Sequence, residues 1–503
     1  MIQRMKRLLG TLAAAMVAAV GIPATYTVEA IPGTKQVRVT IELDEGEFAD
    51  EFRMPAWAPG DYEIFNYGSN ISEVEFYRPL VGTAFESIHA EQGDDVNHWK
   101  AGNPNLVTYI VNESRGNFSP NLRVTPNEIF VSGPGVLGWF VGHADEEHTL
   151  LIKLPTDSSK AACALDPIDA ADGYVGYRAV DYDELIDSPF VVGDNVRVYE
   201  FEVGGKPHAI VGYNQSAGVD LESFAEVAKP VIREAKNLFG ELPYDRYLFM
   251  FDFGGPGGGL EHLDSTRIGR PASTTASQAR GIMFHEYVHT FNVKRIRCRA
   301  LKPFDYTKPA VTGALWWFEG VTDYYAQVFA CRAGVITQKQ FYSVMGGSIM
   351  RFSFHRQINN ISADESSRRV WEVRRSNGYG LSYYTKGRNV GVVLDLAIRG
   401  HSRGAYSLDN VMHDLYRETV NGPGFGERRI RELCIKYGGA ALAGIYDSAV
   451  LLTGSVPYTS PATLCGLTLS NMTFSLGAGM SVDSRRIGMA WPYALSAPAA
   501  KLP

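Results

Sequence analysis

Between residues 25 and 200 the chain alternates apolar and polar positions in short runs, separated by Gly, Pro, Asn and Asp. Val37-Arg38-Val39-Thr40-Ile41-Glu42-Leu43 and Val196-Arg197-Val198-Tyr199-Glu200-Phe201 are two such runs. A repeat of two places every second side chain on one face of a strand, so this region predicts mostly antiparallel, sandwich-like sheets. After residue 220 the period changes. Leu221 to Phe239 has helical spacing, and Gly240 follows as a C-cap. Tyr247 to Phe253 reads as a short apolar strand running into a Gly-rich turn, Gly254-Gly255-Pro256-Gly257-Gly258-Gly259. A helix is predicted from Thr275, whose hydroxyl with Gln278 three residues on fits a capping box. A second helix is expected over 314–333, closing at Gly334. The stretch 335–445 is mainly helical, notably 390–399 and 408–419, and the tail after 446 is rich in Ser, Gly, Pro and Ala. No internal repeat is visible. The expected fold class is α+β multidomain: a β-rich unit over 25–205, a central mixed unit over 206–334 and a helical subdomain over 335–471.

The central unit carries the chemistry. His285-Glu286-Tyr287-Val288-His289 lies within an apolar run. Residues four apart share a helix face, so the two imidazoles can reach one Zn²⁺, with Glu286 beside them as a general base. Such a site needs a third protein ligand and an open position. Glu319 in Leu315-Trp316-Trp317-Phe318-Glu319-Gly320 is the candidate, because a carboxylate among aromatic residues is rarely buried unless paired or metal-bound. Asp323, one turn on, is placed to fix the orientation of a ligand histidine. Either phenol of Leu381-Ser382-Tyr383-Tyr384-Thr385-Lys386-Gly387 can donate to a developing oxyanion. Glu261, after the Gly run, is a fixed anion suited to a substrate ammonium. Gly258 and Gly259 permit close backbone approach of a ligand. Phosphate cradling is the competing reading of that turn, and no Gly-Lys-Ser/Thr supports it.

Composition narrows the partners. The net charge of −7, with no Lys/Arg block past the extreme N-terminus, argues against nucleic acid. With 503 residues and 45% hydrophobic content, several real cores are expected. Residues 1–24 read as a signal peptide: Arg4, Lys6 and Arg7 precede a small-residue apolar run, so export to a periplasm or the medium is expected. No later segment is apolar enough to span a bilayer. Five Cys are too few for a disulfide scaffold, although an exported chain has enough for one or two bridges.

Taken together, the motifs resemble the glycyl aminopeptidase family of zinc metallopeptidases, thermolysin-like gluzincins related to the large zinc aminopeptidases. The resemblance rests on Gly258-Gly259-Leu260-Glu261-His262 with Ser265-Thr266 and on the His-Glu-x-x-His segment continuing through Phe291-Asn292-Val293-Lys294-Arg295-Ile296-Arg297. Phe304-Asp305-Tyr306-Thr307, Glu319-Gly320 with Thr322 and Tyr324-Tyr325, and Tyr384-Thr385-Lys386-Gly387 add to it. So does the N-terminal Met54-Pro55-Ala56-Trp57-Ala58-Pro59-Gly60-Asp61-Tyr62. It implies a thermolysin-like catalytic domain with one Zn²⁺ per chain, and release of N-terminal residues from peptides with a free amino terminus, Gly and Ala favoured. By that resemblance Glu261 binds the α-ammonium, Tyr384 rather than Tyr383 stabilises the transition state, and the Gly258-Gly259 strand pairs with the substrate backbone. Two positions depart from the pattern. Cys298 stands where the family usually has Pro. Residues 472–503 resemble only the opening of a PDZ domain and are expected to be loosely ordered, without a competent groove. Two other readings remain at this point, a zinc endopeptidase and a catalytically silent binding protein on the same fold.

Overall fold

The computed structural model describes residues 24–80, 85–355, 358–372 and 382–493. All but Ala24 of the expected signal segment, and the last ten residues, lie outside that description. The N-terminal β-rich unit has an eight-stranded sheet, with Ala24–Ala30 and Gln36–Leu43 at its centre. Its pairings are antiparallel except where Ala24–Ala30 meets His148–Lys153. Five- and four-stranded sheets pack against it. Inward residues of all three (Val39, Ile41, Phe52, Tyr109, Ile129 and Leu150) form one core, as the alternation requires.

The central unit is built on a five-stranded sheet, ordered Arg197–Val203, Lys206–Asn214, Tyr247–Phe253, Ser265–Arg270, Gly258–Glu261. The three middle strands are parallel and the two edge strands antiparallel. Every residue of Tyr247–Phe253 is buried, which is why that strand reads as a continuous apolar run. Arg197–Val203 forms a hairpin with Lys206–Asn214. The boundary expected at 205 therefore cuts a hairpin of the central sheet, and the unit begins before residue 197. Alternation misled here, because an antiparallel edge strand has the same period in either domain.

Helix Leu221–Phe239 ends on Gly240 in the left-handed region, and helix Ala276–His289 starts at a complete Thr275–Gln278 capping box. The helix expected over 314–333 is not uniform: Trp316–Val321 is a π-turn, followed by the α-helix Thr322–Arg332. The helical region includes Gln338–Ser353, Ala363–Arg368, Tyr383–His401 and Leu408–Thr419, and shares one core with the central sheet. No helix among the described residues is long and apolar enough to cross a membrane. All five Cys are buried free thiols, so no bridge forms.

The expectation of loose order from 472 on is wrong for 472–493. Thr473–Leu476 pairs with Leu467–Ser470, and helix Val482–Ala490 follows. Trp491 is fully buried against Phe341, Tyr342 and Phe474. Its indole Nε1 donates to Tyr324 and Asp395, while Arg332 and Arg399 donate to the Pro492 carbonyl. One large apolar anchor with satisfied polar neighbours fastens a segment whose composition reads as a tail.

Candidate metal centre

Helix Ala276–His289 sets His285 and His289 one turn apart on the face toward the π-turn. Their rings meet edge to face at 4.6 Å. His285 Nδ1 lies 2.9 Å from Asp323 Oδ1, and His289 Nδ1 lies 2.9 Å from the Asn292 carbonyl. A carboxylate and a carbonyl only accept, so both rings donate from Nδ1 and turn Nε2 inward. The two Nε2 atoms are 3.0 Å apart, and Glu319 Oε2 lies 3.4 Å from His285 Nε2 and 3.2 Å from His289 Nε2. Four ligands at zinc's bond lengths sit at tetrahedral corners about 3.3 Å apart. The three edges fit that figure.

Three inward lone pairs this close repel one another unless a cation or protons stand between them. Glu319 Oε2 is buried and has no hydrogen-bond partner among the described residues. Burial pushes the Glu319 carboxyl up, but the two imidazoles outweigh it and hold the group well below the usual carboxylate range. Burial lowers both histidines, yet Asp323 beside His285 and Glu319 beside His289 reverse that and raise them. A site this negative, with nitrogen and oxygen donors at tetrahedral edges, suits Zn²⁺.

Backbone geometry explains the glycines around it. A Cβ on Gly320 would strike the backbone of Gly387, and one on Gly387 would strike the Trp316 carbonyl. The π-turn and helix Tyr383–His401 therefore cross in backbone contact, which sets Glu319 and Tyr384 on the same centre. A Cβ on Gly259 would collide with the Glu286 carboxylate. Glu286 is buried, and burial pushes its carboxyl up to about 7 against the pull of His285 and His289. Glu261, Glu286 and His289 bring one ligand atom each within 4.8 Å of one another. Glu261, on the edge strand Gly258–Glu261, is 5% exposed. Tyr384 stacks on His285 with centroids 6.0 Å apart, and on Tyr383 at 5.0 Å.

The structure thus gathers His285, Glu286, His289, Glu319, Asp323, Gly259, Glu261 and Tyr384 around one point. Gly258, at φ 135°, lies beside Phe118 of the N-terminal unit. Three neighbours escaped the residue-by-residue reading. Asn292, fully buried, accepts from His289 and donates to the Trp317 carbonyl and Thr322. Arg388 reaches the second oxygen of Asp323 at 4.0 Å. Tyr62 enters from the N-terminal unit, and its phenol is raised by burial and then by Glu319 and Glu261. The only signal for Asn292 and Tyr62 was their place inside longer motifs. Lys294 and His262 serve the scaffold: both bind Asp187, whose carboxyl burial pushes up but Lys294 and His262 pull down to about 2. Cys298, at the position of the usual Pro, is buried with Sγ 3.4 Å from Thr312 Oγ1 and leaves the centre undisturbed.

Residues 278–390 match the M61 glycyl aminopeptidase family, and residues 25–194 match the peptidase M61 N-terminal domain. No curated protein matches the sequence. Among solved structures, an aminopeptidase N family protein from Idiomarina loihiensis is 23% identical, with a TM-score of 0.79 over 88% of this chain and 78% of that one. An M1 zinc metallopeptidase from Deinococcus radiodurans is 12% identical, with a TM-score of 0.54 over 87% of this chain and 95% of that one. At these identities the likeness is one of fold.

Proposed function

The chain belongs to the M61 glycyl aminopeptidase family, a family of peptidases, and from that premise we propose a zinc-dependent aminopeptidase that releases N-terminal residues, Gly and Ala favoured. One observation carries the reading. The buried Glu261 carboxylate lies within 4.8 Å of both Glu286 and the ligand His289. That closeness leaves room for no more than one residue between an ammonium on Glu261 and a carbonyl at the metal-ligand set. An endopeptidase needs open cleft where Glu261 stands. The convergence of ligand set, base and anion argues against a silent binder.

His285, His289 and Glu319 would hold the zinc, which when bound supplies a Lewis acid and lowers the pKa of water. Asp323 and Asn292 fix the two imidazoles with Nε2 inward. Glu261 binds the substrate's α-ammonium, and the open edge of strand Gly258–Glu261 takes the substrate backbone by strand addition. Glu286, its carboxyl pushed up by burial, accepts a proton from the attacking water and returns it to the leaving amine. The Tyr384 hydroxyl donates to the oxyanion of the tetrahedral intermediate. We also propose export, from the basic and apolar segment within residues 1–24. Recovery of the protein in the periplasmic fraction or the medium tests it.

The deciding comparison is turnover of Gly- and Ala-amino-terminal peptides before and after N-acetylation, with a chelator control. Acetylation is expected to lower kcat/KM by about 100-fold or more, since it leaves Glu261 buried without its partner. Equal cleavage of blocked peptides would establish the endopeptidase instead. Glu286→Gln is expected to keep one zinc per chain and lose turnover. Wild-type protein with full zinc and no turnover would favour the binding protein.

A further inference from the structure

A substrate whose ammonium lies on Glu261 and whose carbonyl faces Glu319 and the two histidines carries its first side chain on the carbon next to that ammonium, and so close to Glu261. Tyr62 shares the lining of a small cavity with Glu261. Pro59 and Gly60 turn the N-terminal loop against the anion: Gly60 has φ 86°, and a Cβ there would lie 2.8 and 3.0 Å from the two Glu261 oxygens. The loop is pinned on both sides. Asn117 donates to both oxygens of Asp61, at 3.0 and 2.9 Å. The fully buried Trp57 donates to the Asp305 carbonyl at 2.9 Å. Trp371 then stands edge-on to both rings, 5.7 Å from Tyr62 and 5.2 Å from Trp57. Tyr62, Trp57, Gly60 and Glu261 together line a cavity of about 10 Å³, room for a group of water or methyl size.

We propose that Tyr62 is the specificity-determining residue for the first side chain of the substrate: its ring, held by Trp371 and the Gly60 turn, leaves room for Gly or Ala and excludes larger residues. The proposal rests on the aminopeptidase reading. It assigns selectivity to a rigid wall from the N-terminal unit, so widening that wall enlarges the substrate range without touching the metal, base or ammonium groups.

The test measures kcat/KM for Gly, Ala, Leu and Met p-nitroanilides on wild type, Tyr62→Ala and Tyr62→Phe. Tyr62→Ala is expected to raise the Leu-to-Gly ratio by about tenfold or more, because each methylene admitted to a pocket is worth roughly that factor. Tyr62→Phe keeps the ring and is expected to keep the wild-type ratio. Inhibition by glycine and leucine hydroxamates reads the same preference without turnover. Should Tyr62→Ala not fold, Tyr62→Val carries the same ratio criterion with a smaller packing change. A Leu-to-Gly ratio within twofold of wild type in a folded variant overturns the proposal, as does a wild type that prefers Leu. Failure of the underlying reading is visible separately as cleavage of N-acetylated peptides, which removes the ammonium anchor and the proposal with it.

Discussion

His285 touches a carboxylate through each ring nitrogen: Glu319 at 3.4 Å from Nε2 and Asp323 at 2.9 Å from Nδ1. The first contact belongs to the candidate metal site and the second decides the tautomer. Asp323→Asn keeps the shape but offers an amide that can donate as well as accept, so His285 loses both the negative partner and the constraint on which nitrogen is protonated. Zinc affinity is expected to fall about 10- to 100-fold, with the far-UV spectrum unchanged, read by competition with a chromogenic chelator. Unchanged affinity would reduce Asp323 to a solvated surface group. Sequence spacing put Asp323 on the right face because a helical repeat survives translation into space. It did not reveal Arg388, which steadies Asp323 from a helix 65 positions downstream, nor the Asn292 carbonyl that orients His289. Backbone groups and distant partners leave no pattern in a one-dimensional string.

Among the elements, the crossing of the π-turn Trp316–Val321 with helix Tyr383–His401 does most to place the ligand set. Gly320 and Gly387 touch backbone to backbone there, with the Trp316 carbonyl directly over Gly387. Gly387→Ala puts a methyl into that carbonyl, and neither backbone can yield without moving Glu319 or Tyr384. The variant is expected to lose about 1–3 kcal/mol of stability from overpacking and to bind zinc more weakly, read by denaturant unfolding and metal content. A variant with wild-type zinc content and stability would show that the helices can part at no cost. The apolar run 314–333 gave the helix and its Gly334 end but not the π-turn. One extra residue in a turn leaves a wholly buried segment apolar on every side, so the period carries no trace of it. The Thr275–Gln278 capping box was legible because it is local. The C-terminal strap was not, because Trp491 packs on Tyr324, Phe341 and Tyr342, on helices more than a hundred positions earlier.

Across the whole molecule, stability depends on two histidines buried in separate sheets. His148, in the eight-stranded sheet, is 1% exposed, and neither ring nitrogen has a hydrogen-bond partner among the described residues. His208, in the central sheet, is 2% exposed and bonded to Tyr244 and the Lys206 carbonyl. Burial lowers both to about 4. Each is therefore neutral in the fold at pH values where the unfolded chain, titrating near 6.5, already binds a proton. Because the unfolded state takes up the proton first, stability is full above about pH 6.5 and falls as pH drops toward 4. The loss is about 2 kcal/mol per histidine at pH 5, comparable to a large fraction of a domain's margin. His148→Leu separates this term from the carboxylates, which titrate alike in both proteins. Leucine has nearly the same volume, leaves no orphaned nitrogen and keeps an apolar contact with Tyr26, whose ring meets His148 edge-on at 5.4 Å. At pH 7 the two proteins are expected to unfold within about 1 kcal/mol of each other. At pH 5 the variant is expected to gain about 2 kcal/mol on wild type, measured by urea unfolding at both pH values. Equal pH slopes would mean that His148 reaches solvent or a proton-bearing partner within the fold.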